Sequence, residues 1–140
     1  MNKYNINEQI SNLEQDLKEN LSQSAQPADE YFRQLFNVLP DAVMVHQGGF
    51  IIFANSAAAQ LYGAESAESL LGMRTLDFVH PDDKELVEKR QKGMLAGNEG
   101  APLLAQRRVR LDGEVVDVEV SVRPIEWEGQ RSIVVVSRDI

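Results

Sequence analysis

The sequence contains no cysteine among its 140 residues and only two histidines. Without cysteine there can be no disulfide bridge, no thiolate metal site and no cofactor attached through a thioether bond. A reducing compartment fits this composition, so we expect a cytoplasmic protein. Apolar runs stay far below the roughly 20 residues of a membrane-spanning helix, and the N-terminus does not resemble a signal peptide. We therefore expect no membrane contact by this segment.

Basic residues are also scarce. Asp and Glu number 22 against 14 Lys and Arg, which gives a formal charge of −8. This balance argues against nucleic acid as a partner, because phosphate binding needs clustered cations. One basic cluster, Arg107-Arg108-Val109-Arg110, stands out. On a strand Arg108 and Arg110 would share one face and Arg107 the other, so we interpret the cluster as a solvated sheet surface, with an anion site as the alternative.

The first part of the chain, from Asn5 to about Ser24, is predicted to be an amphipathic helix. Its apolar residues recur at helical spacing: Ile6, Ile10, Leu13 and Leu17. This stripe either packs on the chain's own sheet or pairs with a second subunit, and we expect a homodimer. A polar stretch with Pro27 follows. We divide the chain into a helical cap, dimerisation segment and linker over residues 1–27 and one domain over residues 28–140.

Short strands and helices are predicted next. Residues 42–47 and 50–54 have strand patterning and flank Gly48-Gly49, a dipeptide suited to a tight hairpin. Asn55 or Ser56 is a suitable N-cap for a short helix that Gly63 can close. His80, Pro81, Asp82 and Asp83 suit the start of the longest helix, so we assign these polar residues to capping rather than to catalysis. That helix should bury a stripe made of Leu86, Val87, Met94 and Leu95, which Arg90 interrupts.

The last third of the chain is predicted to be β-sheet. Val116, Val118, Val120 and Val122 alternate with polar residues, as in a half-buried antiparallel strand. Residues 133–136 are apolar on both faces, so they should form a central strand. Small helices would cover one face of this strand. The N-terminal helix or a second subunit would cover the other.

Several motifs, in this order, resemble the PAS domain (sensory box) family. They are Asp41-Ala42-Val43, Phe53-Ala54-Asn55-Ser56-Ala57-Ala58, Ser69-Leu70-Leu71-Gly72, His80-Pro81-Asp82-Asp83, Asp112-Gly113, the run from Val118 to Pro124, and Ser137-Arg138-Asp139-Ile140. The resemblance implies an α+β fold, the PAS fold: a five-stranded antiparallel sheet with small helices packed on one face. The N-terminal amphipathic helix would precede it.

The resemblance also implies a sensory, regulatory function. Such a module detects a small-molecule or conformational signal and relays it to a C-terminal output domain, such as a histidine kinase of a two-component system or a cyclic-dinucleotide enzyme, which we expect outside this chain. The alternative is a ligand-free dimerisation or spacer module in a signalling protein. We expect no catalytic activity and no metal site, because no converging polar groups or metal-ligand spacings are evident.

Cofactor expectations follow from the same resemblance. Haem-binding members usually present a histidine from the long helix, and residues 84–96 contain none; light-sensing flavin members need a cysteine, which is absent. Haem and flavin are therefore disfavoured, and an unidentified small organic ligand remains open. The candidate ligand-cleft residues are Arg90, Met94, Phe53, Met73 and Phe78. Arg90 either extends its head group to water or anchors a ligand carboxylate.

The end of the last strand is the predicted junction with the output domain. Arg138 and Asp139 stand where the family passes its chain to a signalling helix, so the resemblance assigns them to signal output. The alternative is an ordinary solvated strand terminus.

Overall fold

The computed structural model describes residues 34–140 and, ahead of them, only Asn12, which is helical and exposed. The side chains of residues 101–103 are not described either. The predicted dimerisation stripe of Ile6, Ile10, Leu13 and Leu17 therefore lies outside the described residues. Its two alternatives, and the division of the chain at residue 27, stay predictions.

The described part of the chain begins with helical residues 34–38 and continues as strands, short helices and a final block of strands. The strands are β1 (Ala42–Gln47), β2 (Phe50–Ala54), β3 (Ala101–Val109), β4 (Val115–Trp127) and β5 (Gln130–Asp139). The α-helices are α1 (Ser56–Tyr62) and α2 (Lys84–Leu95), and 3-10 turns cover Glu68–Leu70, Thr75–Phe78 and Pro81–Asp83.

All five strands form one antiparallel sheet in the order β2-β1-β5-β4-β3. β5 therefore lies in the centre, between β1 and β4. Its residues Ile133 to Val136 are buried on both faces of the sheet, as an apolar run without alternation predicts. The predicted fold class, a five-stranded antiparallel sheet with small helices on one face, is confirmed.

The sheet has two differently covered faces. The face toward α1, α2 and the 3-10 turns, which we call the helix-side core, is formed by two clusters of buried residues; they include Met44, Ile51, Tyr62, Leu70 and Phe78 in one and Met94, Val118, Val120, Ile133 and Val135 in the other. On the outer face Val43, Val45, Val134 and Val136 pack against Phe36, flanked by Leu35 and Leu39. The segment before β1 thus covers part of the second face.

Three local predictions are confirmed, one in the β1-β2 hairpin and two at the ends of α1. Gly48 and Gly49 form the turn between β1 and β2 with φ angles of 59° and 87°, which residues with a Cβ rarely adopt. Asn55 caps α1, because its side-chain oxygen accepts a hydrogen bond from the amide of Ala58. Gly63 closes the same helix in the left-handed conformation.

α2 differs from its prediction in two ways. Pro81–Asp83 forms a separate 3-10 turn, capped by the His80 imidazole, and α2 itself begins at Lys84. The predicted buried stripe is wrong for Leu86 and Leu95, which are 51% and 46% exposed. Val87 and Met94 are the buried residues of α2, and residues seven apart lie along one line of a helix.

Candidate ligand site in the helix-side core

The predicted cleft residues do not all meet in one place. Phe78 and Met94 are buried in the helix-side core, and Met73 is partly buried against the same layer. Arg90 is half-buried beside a groove of about 320 Å³, which Leu86 and Asn98 also line. Phe78, Met94 and Met73 thus remain candidates for a cleft on the helix side, whereas Arg90 lies at its solvent-facing margin.

Phe53 requires a correction, because it lies on the outer face. It pairs in register with Val45, and its ring centroid is 4.6 Å from that of Phe36 and 5.6 Å from that of Trp127. The register between β1 and β2 shifts at Val45/His46. This irregularity breaks the simple alternation of β2, so the face of Phe53 could not be read from sequence spacing.

Arg108 was missed by the sequence interpretation. It is 3% exposed, so its assignment to a solvated sheet surface is wrong. Its register partner is Val116, and Gln106 pairs with Val118. Register partners share a face, which places the Arg108 side chain toward the helix-side core. The sequence signal for the inward direction of Arg108 is the alternation of Val116, Val118 and Val120 on the partner strand. Together with the strand register, it could have predicted that direction.

The neighbours of Arg108 on β3 lie in different environments. Arg107 binds Asp83 through Nη2–H and Oδ1 at 2.9 Å, and its hydrogen bond holds the pKa of that carboxyl below its usual range. Arg110 donates to the carbonyl oxygen of Leu61 at 2.7 Å. For Arg108, in contrast, the one side-chain hydrogen bond among the described residues runs from Nη2 to the amide oxygen of Gln106, at 2.8 Å.

Several buried side-chain atoms have no hydrogen-bond partner within the described part of the chain. They include Nε of Arg108, Nε2 of His46 and the hydroxyl of Tyr62. His46 and Tyr62 are 2% and 0% exposed. Burial, helped by the positive charge of Arg108, lowers the pKa of His46 to about 4, so its imidazole is neutral at neutral pH.

These groups belong to one region of the helix-side core. His46 pairs with Ile133, a residue of that core, on the central strands. The Tyr62 and Phe78 rings are 4.8 Å apart, and Val79, the next residue, forms a β-bridge with Arg108. The arrangement offers a fixed cation, a neutral imidazole and a phenol inside apolar surroundings.

Other chemistries find less support in the described part of the chain. Residues 34–140 contain no group of three or more His, Asp or Glu placed to hold a metal ion. Within the same residues, no helix has the length and apolar character needed to cross a membrane.

Comparison with known proteins identifies the fold family. The family model described as PAS fold matches residues 30–140. Sporulation kinase A of Bacillus subtilis is 30% identical over 116 residues, which cover 80% of this chain and 18% of the kinase. The chain thus spans less than a fifth of that curated relative.

Solved structures show the same fold. The PAS domain of the HTR-like protein from Haloarcula marismortui matches with a TM-score of 0.68 and 25% identity, covering 82% of this chain and 93% of that one. The PAS domain of nitrogen regulation protein NR(II) from Vibrio parahaemolyticus matches with a TM-score of 0.61 and 22% identity, covering 84% of this chain and 100% of that one.

Proposed function

The chain belongs to the PAS family, and on that premise we propose that it is a sensory module that detects a small-molecule or conformational signal in its helix-side core. The observation that carries this proposal is the set of unpartnered polar atoms of Arg108, His46 and Tyr62 in an otherwise apolar interior. Buried polar groups are nearly always hydrogen-bonded, and exceptions call for a functional explanation. A ligand that supplies the missing partners is such an explanation.

The signal passes, in this proposal, to a C-terminal output domain, either a histidine kinase or a cyclic-dinucleotide enzyme. Similarity to sporulation kinase A supports the kinase setting. The relay runs through β5, whose central position puts it in contact with both β1 and β4. Arg138 and Asp139 at its end are the proposed output residues, and the module itself is proposed to be non-catalytic and cytoplasmic.

A second function, a ligand-free dimerisation or spacer module, is supported by a different observation. Large side chains such as Tyr62, Phe78 and Met94 fill much of the helix-side core. In this case the homodimer proposed from the N-terminal stripe would be the main role of the chain, and the orphaned polar atoms would be a cost without function.

We further propose that the protein binds neither haem nor flavin. The core imidazole, His46, lies on a strand beside the Arg108 cation, whose charge disfavours a cationic metal centre next to it. The purified protein should be colourless. A visible absorption band after refolding with haem or flavin would contradict this proposal.

Native mass spectrometry of the purified protein separates the two functions. A co-purifying small molecule, lost in a variant with a disrupted core such as Tyr62→Leu, supports the sensor. The full-length protein provides a second test: Tyr62→Leu should change the output activity, whereas Leu95→Ala, at an exposed apolar position on α2, should not. Unchanged output in both variants, together with an unliganded protein, would favour the spacer.

A further inference from the structure

Arg108 places an uncompensated positive charge inside the protein. A guanidinium cannot give up its proton in a protein, so the side chain stays charged even when buried. No carboxylate among residues 34–140 lies within ion-pair distance of it. Gln106 supplies one neutral acceptor, and the buried Nε has none. An isolated buried cation is strongly unfavourable unless an anion accompanies it.

An arginine on β3 can be placed in contact with solvent, as the residue next to Arg108 shows. Arg107, the preceding residue, has a side chain that is 43% exposed and pairs with Asp83. Arg108 instead occupies the face of β3 that points to the core, beside a glutamine that orients its head group. A chain that needed only a filled core would use an apolar residue there, because such replacements of buried charges are often neutral or stabilising.

The surrounding groups fit one end of an organic anion. Tyr62 and neutral His46 can each donate a hydrogen bond, and both have a buried polar atom without a partner. Apolar residues lie next to these groups, with Phe78 beside Tyr62 and Ile133 beside His46. One cation matches one negative charge, and the large buried side chains of this core, such as Tyr62 and Phe78, favour a ligand with a short tail.

We propose that the helix-side core binds a short-chain monocarboxylate, whose carboxylate pairs with Arg108 and accepts hydrogen bonds from Tyr62 and His46. This inference rests on the proposed sensory function and names the chemical class of its ligand. Charge-assisted hydrogen bonds between a guanidinium and a carboxylate are the strong kind, and their strength rises in a water-poor interior. Gln106 acts as a positioning residue, because it holds the Arg108 head group toward the site.

The test is a titration of the ¹⁵N-labelled full chain with sodium propionate, with propionamide as the isosteric neutral control and sodium chloride at matched ionic strength. We expect saturable shifts of the His46, Arg108 and Val79 amide signals with propionate alone. A dissociation constant of about 1 mM or tighter is expected for a site with one charged pair. Equal responses to propionate and propionamide, or shifts that do not saturate, overturn the proposal.

Variants locate the binding energy. Arg108→Met should reduce propionate affinity at least tenfold, whereas Arg107→Met, its exposed neighbour on the same strand, should retain it. Arg108→Met removes an unpaired buried charge, so it should fold at least as well as the wild type. Arg108→Gln is the second variant, which keeps a polar side chain. Undiminished affinity in both Arg108 variants overturns the proposal.

The same experiment separates this inference from the sensory function. Saturable binding of propionamide, or a neutral molecule that co-purifies, overturns the proposal of a carboxylate ligand. The proposed sensory function is compatible with either result. If propionate binds as expected but Tyr62→Leu leaves the output of the full-length protein unchanged, the site is supported and the sensory function is the part that fails.

Discussion

The guanidinium of Arg138 lies 3.5 Å from the carboxylate of Asp41, which connects the end of β5 to the residue before β1. Burial raises the pKa of Asp41, although the charge and hydrogen bond of Arg138 act in the opposite direction. The carbonyl oxygen of Asp41 also accepts a hydrogen bond from the Asn55 amide at 3.0 Å. The first strand, the last strand and the cap of α1 therefore meet at one point.

Substitution at this point should alter signal output in the full-length protein. Arg138→Gln breaks the contact with Asp41, and Asp139→Ala removes the exposed charge at the end of β5. Each should change basal output, or its response to ligand, by about fivefold or more, the lower range of allosteric coupling. The phosphotransfer or cyclase assay of the output domain measures it.

The control for this pair is Glu126→Ala, an exposed residue on β4 far from the junction, which should leave output unchanged. Circular dichroism of the isolated domain should show that all variants remain folded. Output and ligand response equal to wild type in both Arg138→Gln and Asp139→Ala would show that these residues form an ordinary strand terminus.

Asn55→Ala should be among the most destabilising single substitutions. Its side chain accepts from the amides of Val43 and Ala58 and donates to the carbonyl oxygens of Phe36 and Asp41, all between 2.8 and 3.0 Å. Losing these bonds leaves several buried backbone groups unsatisfied, so we expect a loss of about 2–4 kcal/mol in the free energy of unfolding, measured with urea.

Asn37→Ala is the matched control for Asn55→Ala. Asn37 also accepts a hydrogen bond from a backbone amide at the start of α1, that of Ser56, but at an exposed position. Water can replace this bond, so the expected loss is below about 1 kcal/mol. Similar losses for the two variants would mean that the buried network of Asn55 adds nothing to stability.

His46 should make stability depend on pH. Its pKa is lowered from 6.5 to about 4, so the folded protein holds the imidazole neutral while the unfolded chain protonates it more readily. The contribution of neutral His46 to the free energy of unfolding is fully present above pH 6.5 and is lost as the pH falls toward 4. A pKa shift of this size corresponds to a change of about 3 kcal/mol in the free energy of unfolding.

His46→Gln should flatten the dependence of unfolding free energy on pH between 7 and 4. Urea titrations at several pH values measure the slope, and His80→Gln, which removes the surface capping histidine, serves as control. The prediction fails if His46→Gln and wild type lose stability in parallel as the pH falls.

The N-terminal stripe should contribute to a homodimer. Leaving Ile6, Ile10, Leu13 and Leu17 in water would cost about 25 cal/mol per Å² of apolar surface. A chain that starts at Ala28, or the variant Ile10→Asp, should therefore dimerise more weakly in light scattering. Gln15→Asp, off the stripe, should behave as wild type. Equally tight dimers from the shortened chain would place the interface elsewhere.

Sequence patterning predicted the parts of the fold that depend on local chemistry. The Gly48-Gly49 turn, the Asn55 cap and the central strand at residues 133–136 needed only allowed φ angles, a short polar side chain and an unbroken apolar run. Each of these features is specified within a few neighbouring residues, so spacing and residue type suffice.

The candidate site was harder to predict, because its residues are placed by register between distant strands. Whether Arg108 points inward depends on its pairing with Val116, and the face of Phe53 depends on the shift at Val45/His46. Burial of a charge also runs against its usual exposure, so residue type gave the wrong answer at Arg108. Such departures from local rules are expected at functional or strained sites of a protein.

The central position of β5 has a consequence for how the chain folds. Hairpins β1-β2 and β3-β4 can form early from sequence neighbours. One sheet exists only after Ser137 of β5 has paired with Ala42 of β1 on one side and with Val120 of β4 on the other. Closing so long a loop costs entropy before any contact repays it, so folding should be slow relative to helical domains of this size. During synthesis the open edges of β1 and β4 stay available to other chains until the last strand leaves the ribosome, which makes that interval the time of greatest aggregation risk.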